Sequence, residues 1–578
     1  MLKALRLLLA LLLASSAASA APPRQAADIV LRNGVVATMD ATRSWAQAVA
    51  IRGGRIVFVG TDRDAATWIG RRTQVTDLGG RLVLPAFHDS HVHPVTSGME
   101  LLTCNLNEAE TAEDVFATIR RYVDGHPKET WITGGGWQLP IFPGTGPTKA
   151  QLDAIVLDRP ALLFAADGHS SWANSRALAL AGVTKATPDP PNGRIERDAN
   201  GEPTGTLRED ASALVTRFVP KPSHADHVAG LRIALRKANS FGITSLYEAN
   251  GNEAGLAAYK ELDDRGELTA RVSVALEMDV AKGIAEIPRL VELRRRFAGK
   301  RLSANAVKIF IDGVIESQTA ALLEPYVNRP GDRGKPNIEP DALEKLVAAL
   351  DREGFQVHIH AIGDRAIRIS LDAFEHARSV NGVRDSRHHI GHLQLIDPAD
   401  IPRFRRLGVI ANFQPLWAYA DPYITDLTEP VLGPARSRWL YPFRSVAATG
   451  AVVVGGSDWS VSSLNPLDAI QVAVTRRGLE DATGKPWIPE EIVDIPTIVA
   501  AYTINGAYVT QRERETGSIE VGKSADLVVV DRNIFDCPPA EIHKAVVTKC
   551  YFEGRLLDRN LSDVSAGARH FRPLFPVS

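Results

Sequence analysis

The rhythm of apolar and polar positions changes along the chain. Near the N-terminus, short runs alternate with period two and break at Asn-Gly or Gly-Gly pairs, as in DIVLRNGVVATMD, AVAIRGGRIVFVGTD and TQVTDLGGRLVLPAF. Alternation punctuated in this way marks hairpins, and it predicts a small antiparallel sheet over residues 27–82. GSIEVGKSADLVVVDRN and AVVTKCYFEGRLL carry the same texture near the other end. Residues 21–82 and 515–578 are therefore expected to form one composite β-sandwich.

The middle reads differently. Apolar runs of strand length recur as LVLPAF, ITSLYEA (243–249), ARVSVALEM (270–278), AVKIFIDG (306–313), FQVHIHAIG (355–363), RHHIGHLQ (387–394), GVIANFQP (408–415) and AVVVGGSD (451–458). Helix-period stretches such as PDALEKLVAALDREG and DRAIRISLDAFEHAR lie between them. Strands alternating with helices imply a parallel sheet, and eight repeats imply a closed barrel. The expected fold class is α/β: a (β/α)8 TIM-like barrel over residues 83–514, the terminal sandwich, and a long insert after the first barrel strand. That insert, residues 95–240, is far too long for one crossover helix and predicts a lid or subdomain.

Residues 1–20, MLKALRLLLALLLASSAASA, break both rhythms. Lys3 and Arg6 precede an apolar run, and Ala18-Ser19-Ala20 offers a small-residue cleavage site, the three-part pattern of a secretory signal. The expectation is a secreted or periplasmic protein with no stable membrane anchor, because no later run supplies about 20 apolar residues. Composition narrows the rest. Lys+Arg total 66 against 68 Asp+Glu, a net charge of −2, which argues against a nucleic-acid partner. Three cysteines, Cys104, Cys537 and Cys550, cannot build a disulfide framework. A single Cys537–Cys550 pair is left open.

The chemistry lies at strand ends, which in a barrel point into the active-site mouth. FHDSHVHP places His91 and His93 two apart, so on an extended strand both face one way. VHIHAIGD does the same for His358 and His360, and HHIGHLQ for His388 and His392. VVVGGSD puts Asp458 after a continuous apolar run. Eight of the fifteen histidines crowd into three strand ends: His88, His91, His93, His358, His360, His388, His389 and His392. Any one of these has an ordinary reading as a core histidine, but the repetition points to a metal. Imidazole with carboxylate suits Zn²⁺ or a related divalent ion, one or two of them. Lys308, inside AVKIFIDG, would be costly as a buried cation unless paired or neutral. Asp312 is one candidate partner. The alternative is a carbamate formed with CO₂, which turns the amine into a bridging anion.

Together these residues resemble the amidohydrolase superfamily, and within it amidohydrolase family 3, a group of metal-dependent hydrolases that includes N-substituted formamide deformylase. The resemblance runs through GGRLVLPAFHDSHVHP, PTKAQLDAIVLDRPALLFAADGHSSWANSRAL, GEPTGTLRED, AVKIFIDG, HIHAIGDRA, HIGHLQ, GSDWSVSSLNPLDAIQVAVTRR and GSIEVGKSADLVVVD. It implies that His91 and His93 hold a first metal, that Lys308 is the bridging lysine, that His360 and His392 hold a second metal, and that Asp458 is the eighth-strand aspartate. Glu209, in GTLRED, is a further candidate ligand from the insert. Two departures stand out: many relatives carry glutamate where this chain has Gly391, and a glycine- and serine-rich run where it has Val314-Ile315-Glu316-Ser317.

The implied activity is hydrolysis of a linear amide C–N bond in a small molecule. Metal-activated hydroxide attacks the carbonyl, Asp458 serves as base and then acid, and His360 or a neighbour steadies the oxyanion. His169, Trp172 and Trp459 are candidates for the substrate pocket, with plain packing as the alternative for each. A cyclic amidase or deaminase of the same superfamily is the runner-up, although HAIGDRA supplies Asp364 where deaminases often have a glutamate. An exported binding protein without activity is the reading from another class. A homodimer is compatible with the resemblance.

Overall fold

A computed structural model describes residues 25–558. The proposed signal segment lies outside the described residues. Eight strands form one parallel sheet: β1 (Phe87–Val92), β2 (Ile243–Gly251), β3 (Arg271–Glu277), β4 (Leu302–Phe310), β5 (Gln356–Ala361), β6 (His389–His392), β7 (Ile410–Phe413) and β8 (Val453–Gly455). They pair in chain order from β1 to β8. The seam closes just past β8, where Asp458 N donates to His91 O (2.7 Å) and His93 N to Trp459 O (3.2 Å). The (β/α)8 expectation is met.

Helices cover the sheet because their apolar residues fall on one stripe. Pro340–Arg352 buries Leu343, Leu346, Val347 and Leu350, and Asp364–Asn381 buries Ile367, Leu371 and Phe374. Register then sorts the polar residues of the barrel into layers. Lys308 pairs with His358, and His358 with His389; one layer higher, Phe310 pairs with His360, and His360 with Gly391.

The LVLPAF run spans two elements. Leu82–Pro85 belongs to the terminal sandwich, and the barrel strand begins only at Phe87. Leu82–Pro85 pairs in parallel with Val35–Ala37 and antiparallel with Leu527–Val530, so chain from both ends shares one sheet. Arg271, at the start of β3, ties this sandwich to the barrel floor through Asp526 and through Ser524 Oγ at 3.0 Å. All three cysteines are free thiols.

Residues 104–209 of the insert build a separate six-stranded sheet with its own apolar cores. The chain returns to the barrel through the helix His224–Ser240. No helix among the described residues is long and apolar enough to cross a membrane.

Candidate metal centre

Strand alternation delivers His91 from inside β1, and His93 follows directly after that strand. Asp458 comes from the opposite side of the seam. Its φ of 52° turns the chain after β8, and its carboxylate points back over β1. One carboxylate oxygen lies 3.1 Å from His93 Nε2 and 3.5 Å from His91 Nε2; the other lies 3.8 Å from His392 Nδ1. One ligand atom from each of His91, His392 and Asp458 falls within 4.8 Å of the others.

His392 reaches this point by breaking the pleat. Alternation along β6 predicts one face for His388 and His392, and that expectation fails. His388 lies on the outside of the barrel, stacked on Phe374 and 3.3 Å from Asp351, while His389 points inward. A φ of 76° at His392 swings its ring into the mouth, where Trp417 stacks on it at 5.7 Å with the planes 2° apart.

Burial keeps most of these imidazoles neutral. It pushes His91 and His392 well below the ordinary histidine range, with Lys308 adding to the effect. His93 goes the other way: burial pulls it down, but hydrogen bonds to Asp458 and Glu248 outweigh this and bring it to about 9. Lys308 is 1% exposed. Burial pushes its amine down to about 7, with Asp458 and Glu248 pulling upward. Asp312 is not its partner, because that carboxylate accepts hydrogen bonds from the backbone N–H groups of Ala321, Ile362 and Gly363.

The other candidate site residues have partners of their own. His360 stands beside His392 (ring centroids 4.4 Å), but its Nε2 faces Gly313 O at 3.3 Å and Asp312 at 3.8 Å. Glu209 is taken up by His169 (2.8 Å) and Thr319 (2.7 Å) and stands apart from the His91–His392–Asp458 group. Trp172 is buried in the insert's own core against Phe116 and Phe142, and its indole N–H donates to Thr148 O at 2.8 Å. Trp459, 6% exposed, packs beneath Lys237 in the main apolar core. In both cases the packing alternative holds.

Two contributors, Glu248 and Asp89, carry no motif in the sequence, and a third, Gly391, stands out there only as a departure from relatives. Glu248 of β2 sits 3.3 Å from His93 Nδ1 and orients that ring. Asp89 accepts hydrogen bonds from Ser457 N (3.0 Å) and His91 N (3.1 Å), locking β1 to the loop that carries Asp458. Gly391 leaves room for its neighbours: a Cβ there would lie 3.0 Å from His91 Nδ1 and 2.9 Å from His358 Nε2. For Glu248 a signal existed, a lone acid in an apolar strand, the same kind of anomaly that singles out Lys308.

The donor set fits a divalent metal. Both ring nitrogens of His91 and Nδ1 of His392 are buried without a hydrogen-bond partner, a condition native proteins avoid unless something else binds the atoms. Imidazoles converging on a carboxylate are what Zn²⁺ and similar ions bind.

A parallel β/α barrel with such a cluster at its C-terminal rim defines a metal-dependent hydrolase. Residues 74–558 match the model of the Amidohydrolase family, and the chain belongs to that family. Protein LONG AFTER FAR-RED 3 of Arabidopsis thaliana is 32% identical over 88% of this chain and 88% of its own length. N-substituted formamide deformylase of Arthrobacter pascens is 28% identical over 92% of this chain and 98% of its own length. The crystal structure of an uncharacterized metal-dependent hydrolase from Pyrococcus furiosus superposes with a TM-score of 0.69 at 25% identity, covering 88% of this chain and 100% of the other.

Proposed function

We propose that the protein hydrolyses a linear amide of a small molecule, releasing a carboxylic acid and an amine. The observation that carries this reading is the Asp458 carboxylate, held among His91, His93 and His392 at the barrel mouth. A divalent ion held by these four residues supplies Lewis acidity when bound and lowers the pKa of water toward about 7. Asp458 takes the proton of the attacking water as the water oxygen bonds to the amide carbon. The C–N bond then breaks as Asp458 delivers that proton to the nitrogen, one carboxylate acting as base and then acid. Glu248 and Asp89 hold His93 and the Asp458 loop in place meanwhile.

The similarity to a protein named for deformylating N-substituted formamides supports a linear amide over a ring. The reading includes zinc as the ion, on the strength of the imidazole–carboxylate donor set. It includes carboxylation of Lys308, on the strength of a buried amine without an ion pair among the described residues. It includes export, resting on residues 1–20 alone.

The test is a screen of N-formyl, N-acetyl and N-acyl-amino-acid amides, lactams and aryl esters with the zinc-loaded protein. The expected outcome is turnover of one linear amide series at least tenfold above the lactams. Turnover confined to lactams or esters would overturn the proposal.

A further inference from the structure

We propose that the insert supplies a substrate-binding arm to the barrel: His169 hydrogen-bonds the acyl oxygen of the amide through Nε2, and Glu209 is the residue that positions it. This rests on the amide-hydrolase reading above and adds a specific role for the insert.

Four observations converge on the pair. Both Glu209 oxygens are committed: one to His169 Nδ1 at 2.8 Å, the other to Thr319 Oγ1 at 2.7 Å. The contacts therefore join the insert to the loop after β4. Glu209 also adopts φ 49° and ψ −130°, a sparsely populated conformation for a residue with a side chain. The barrel makes room for the carboxylate, because a Cβ on Gly313 would lie 2.6 Å from Glu209 Oε1 and 2.1 Å from Thr319 Oγ1. Finally, the His169 ring stands 5.6 Å from the His360 ring, its side chain is 18% exposed, and its Nε2 has no protein partner among the described residues.

A surface histidine–glutamate contact would need neither the unusual backbone nor the bare glycine. With Nδ1 fixed on Glu209, the ring is oriented and Nε2 is left as its free hydrogen-bonding atom. A carboxylate that sets the direction of an imidazole is a recurring way to hold a catalytic histidine. The arm approaches from the insert side, beside His360, whereas Asp458 approaches from β8. The two groups thus bracket the mouth. Glu209 acts through His169 and is a positioning residue, each of its oxygens already accepting a hydrogen bond.

The experiment uses full-length, zinc-loaded protein and a panel of 4-nitroanilides (formyl, acetyl, and longer acyl groups). Wild type, His169→Phe, His169→Gln and Glu209→Gln are compared for metal per chain, Tm, kcat and KM. The arm predicts metal content and Tm at wild-type level in all variants. It predicts a kcat loss of about 10²-fold in His169→Phe, the scale of losing one oxyanion donor, with KM within about threefold. Partial recovery is expected in His169→Gln, which keeps a polar tip, and a loss of about tenfold in Glu209→Gln. The His169→Phe/Glu209→Gln double variant is expected to be no slower than His169→Phe, since residues acting as one unit are not additive. Loss of metal in Glu209→Gln would overturn the proposal by making Glu209 a ligand. Near-wild-type kcat in His169→Phe would overturn it by leaving His169 as a wall. A wild-type enzyme inactive on every anilide would instead count against the amide reading itself.

Discussion

His91 and His392 at the rim, and His358 and His389 one layer below, are equally buried imidazoles in one barrel. Burial holds all four well below the ordinary histidine range. Their company differs. The rim pair meets Asp458 and, through His93, Glu248. The lower pair meets aromatic rings: each other at 4.2 Å, with Tyr247 at 4.9 Å from His389. Ring nitrogens in both layers lack hydrogen-bond partners. What separates a ligand set from a packed histidine core here is the carboxylate, because an anion fixes where a cation can sit.

That contrast can be broken or sharpened by substitution. The largest effect is expected from Asp458→Asn, which keeps the shape of the rim and removes its proton carrier. Amide turnover should fall by about 10²–10⁴-fold, read as kcat at saturating metal. Next is Gly391→Ala, at the boundary between the layers. Its methyl group would press on His91 Nδ1 and His358 Nε2, so metal affinity should weaken by about 10–100-fold, the range seen when the support of a ligand is disturbed. Competition with a chelator measures it.

His358→Phe tests the lower layer alone. Metal stoichiometry should stay at the wild-type level with turnover within about tenfold, because exchanging an unsatisfied buried polar group for an apolar one of similar shape is often near neutral. The smallest effect concerns His388, outside the barrel, and its partner Asp351. Burial raises the Asp351 carboxyl, but hydrogen bonds from His388, Ser386 and Asn381 outweigh this and hold it at about 2. An unfolded aspartate titrates near about 3.9. The pair thus stabilises the fold above pH ~4, and that contribution is lost as pH falls through about 2. Asp351→Asn should flatten the acid limb of a Tm-against-pH curve in that window and leave turnover at pH 7 unchanged.

The sequence exposed the barrel because its strands are apolar runs ended by polar residues; the period-two rule put His91 and His93 on one face, the end of an apolar run singled out Asp458, and the three side chains meet within 3.5 Å. It failed where the backbone leaves the pleat. His392 changes face through one positive φ, which no pattern of side chains announces. For Trp172 and Trp459 the sequence leaves pocket lining and packing both open, and the choice between them rests on burial, which only the fold shows. For Glu209 the sequence offers only a further candidate ligand in the GTLRED motif. Only three-dimensional contact reveals that His169 and Thr319 occupy both its oxygens. Glu248 and Asp89 act on other residues of the site, and such supporting roles leave no spacing to recognise.

The proposed chemistry requires a cation held among His91, His93, His392 and Asp458. The most direct measurement is zinc per chain after equilibration and desalting, for wild type, His392→Ala and His358→Phe side by side. At least one ion is expected in wild type and in His358→Phe, and a loss in His392→Ala. Less than one ion in wild type, or full retention in His392→Ala with loss in His358→Phe, would contradict it.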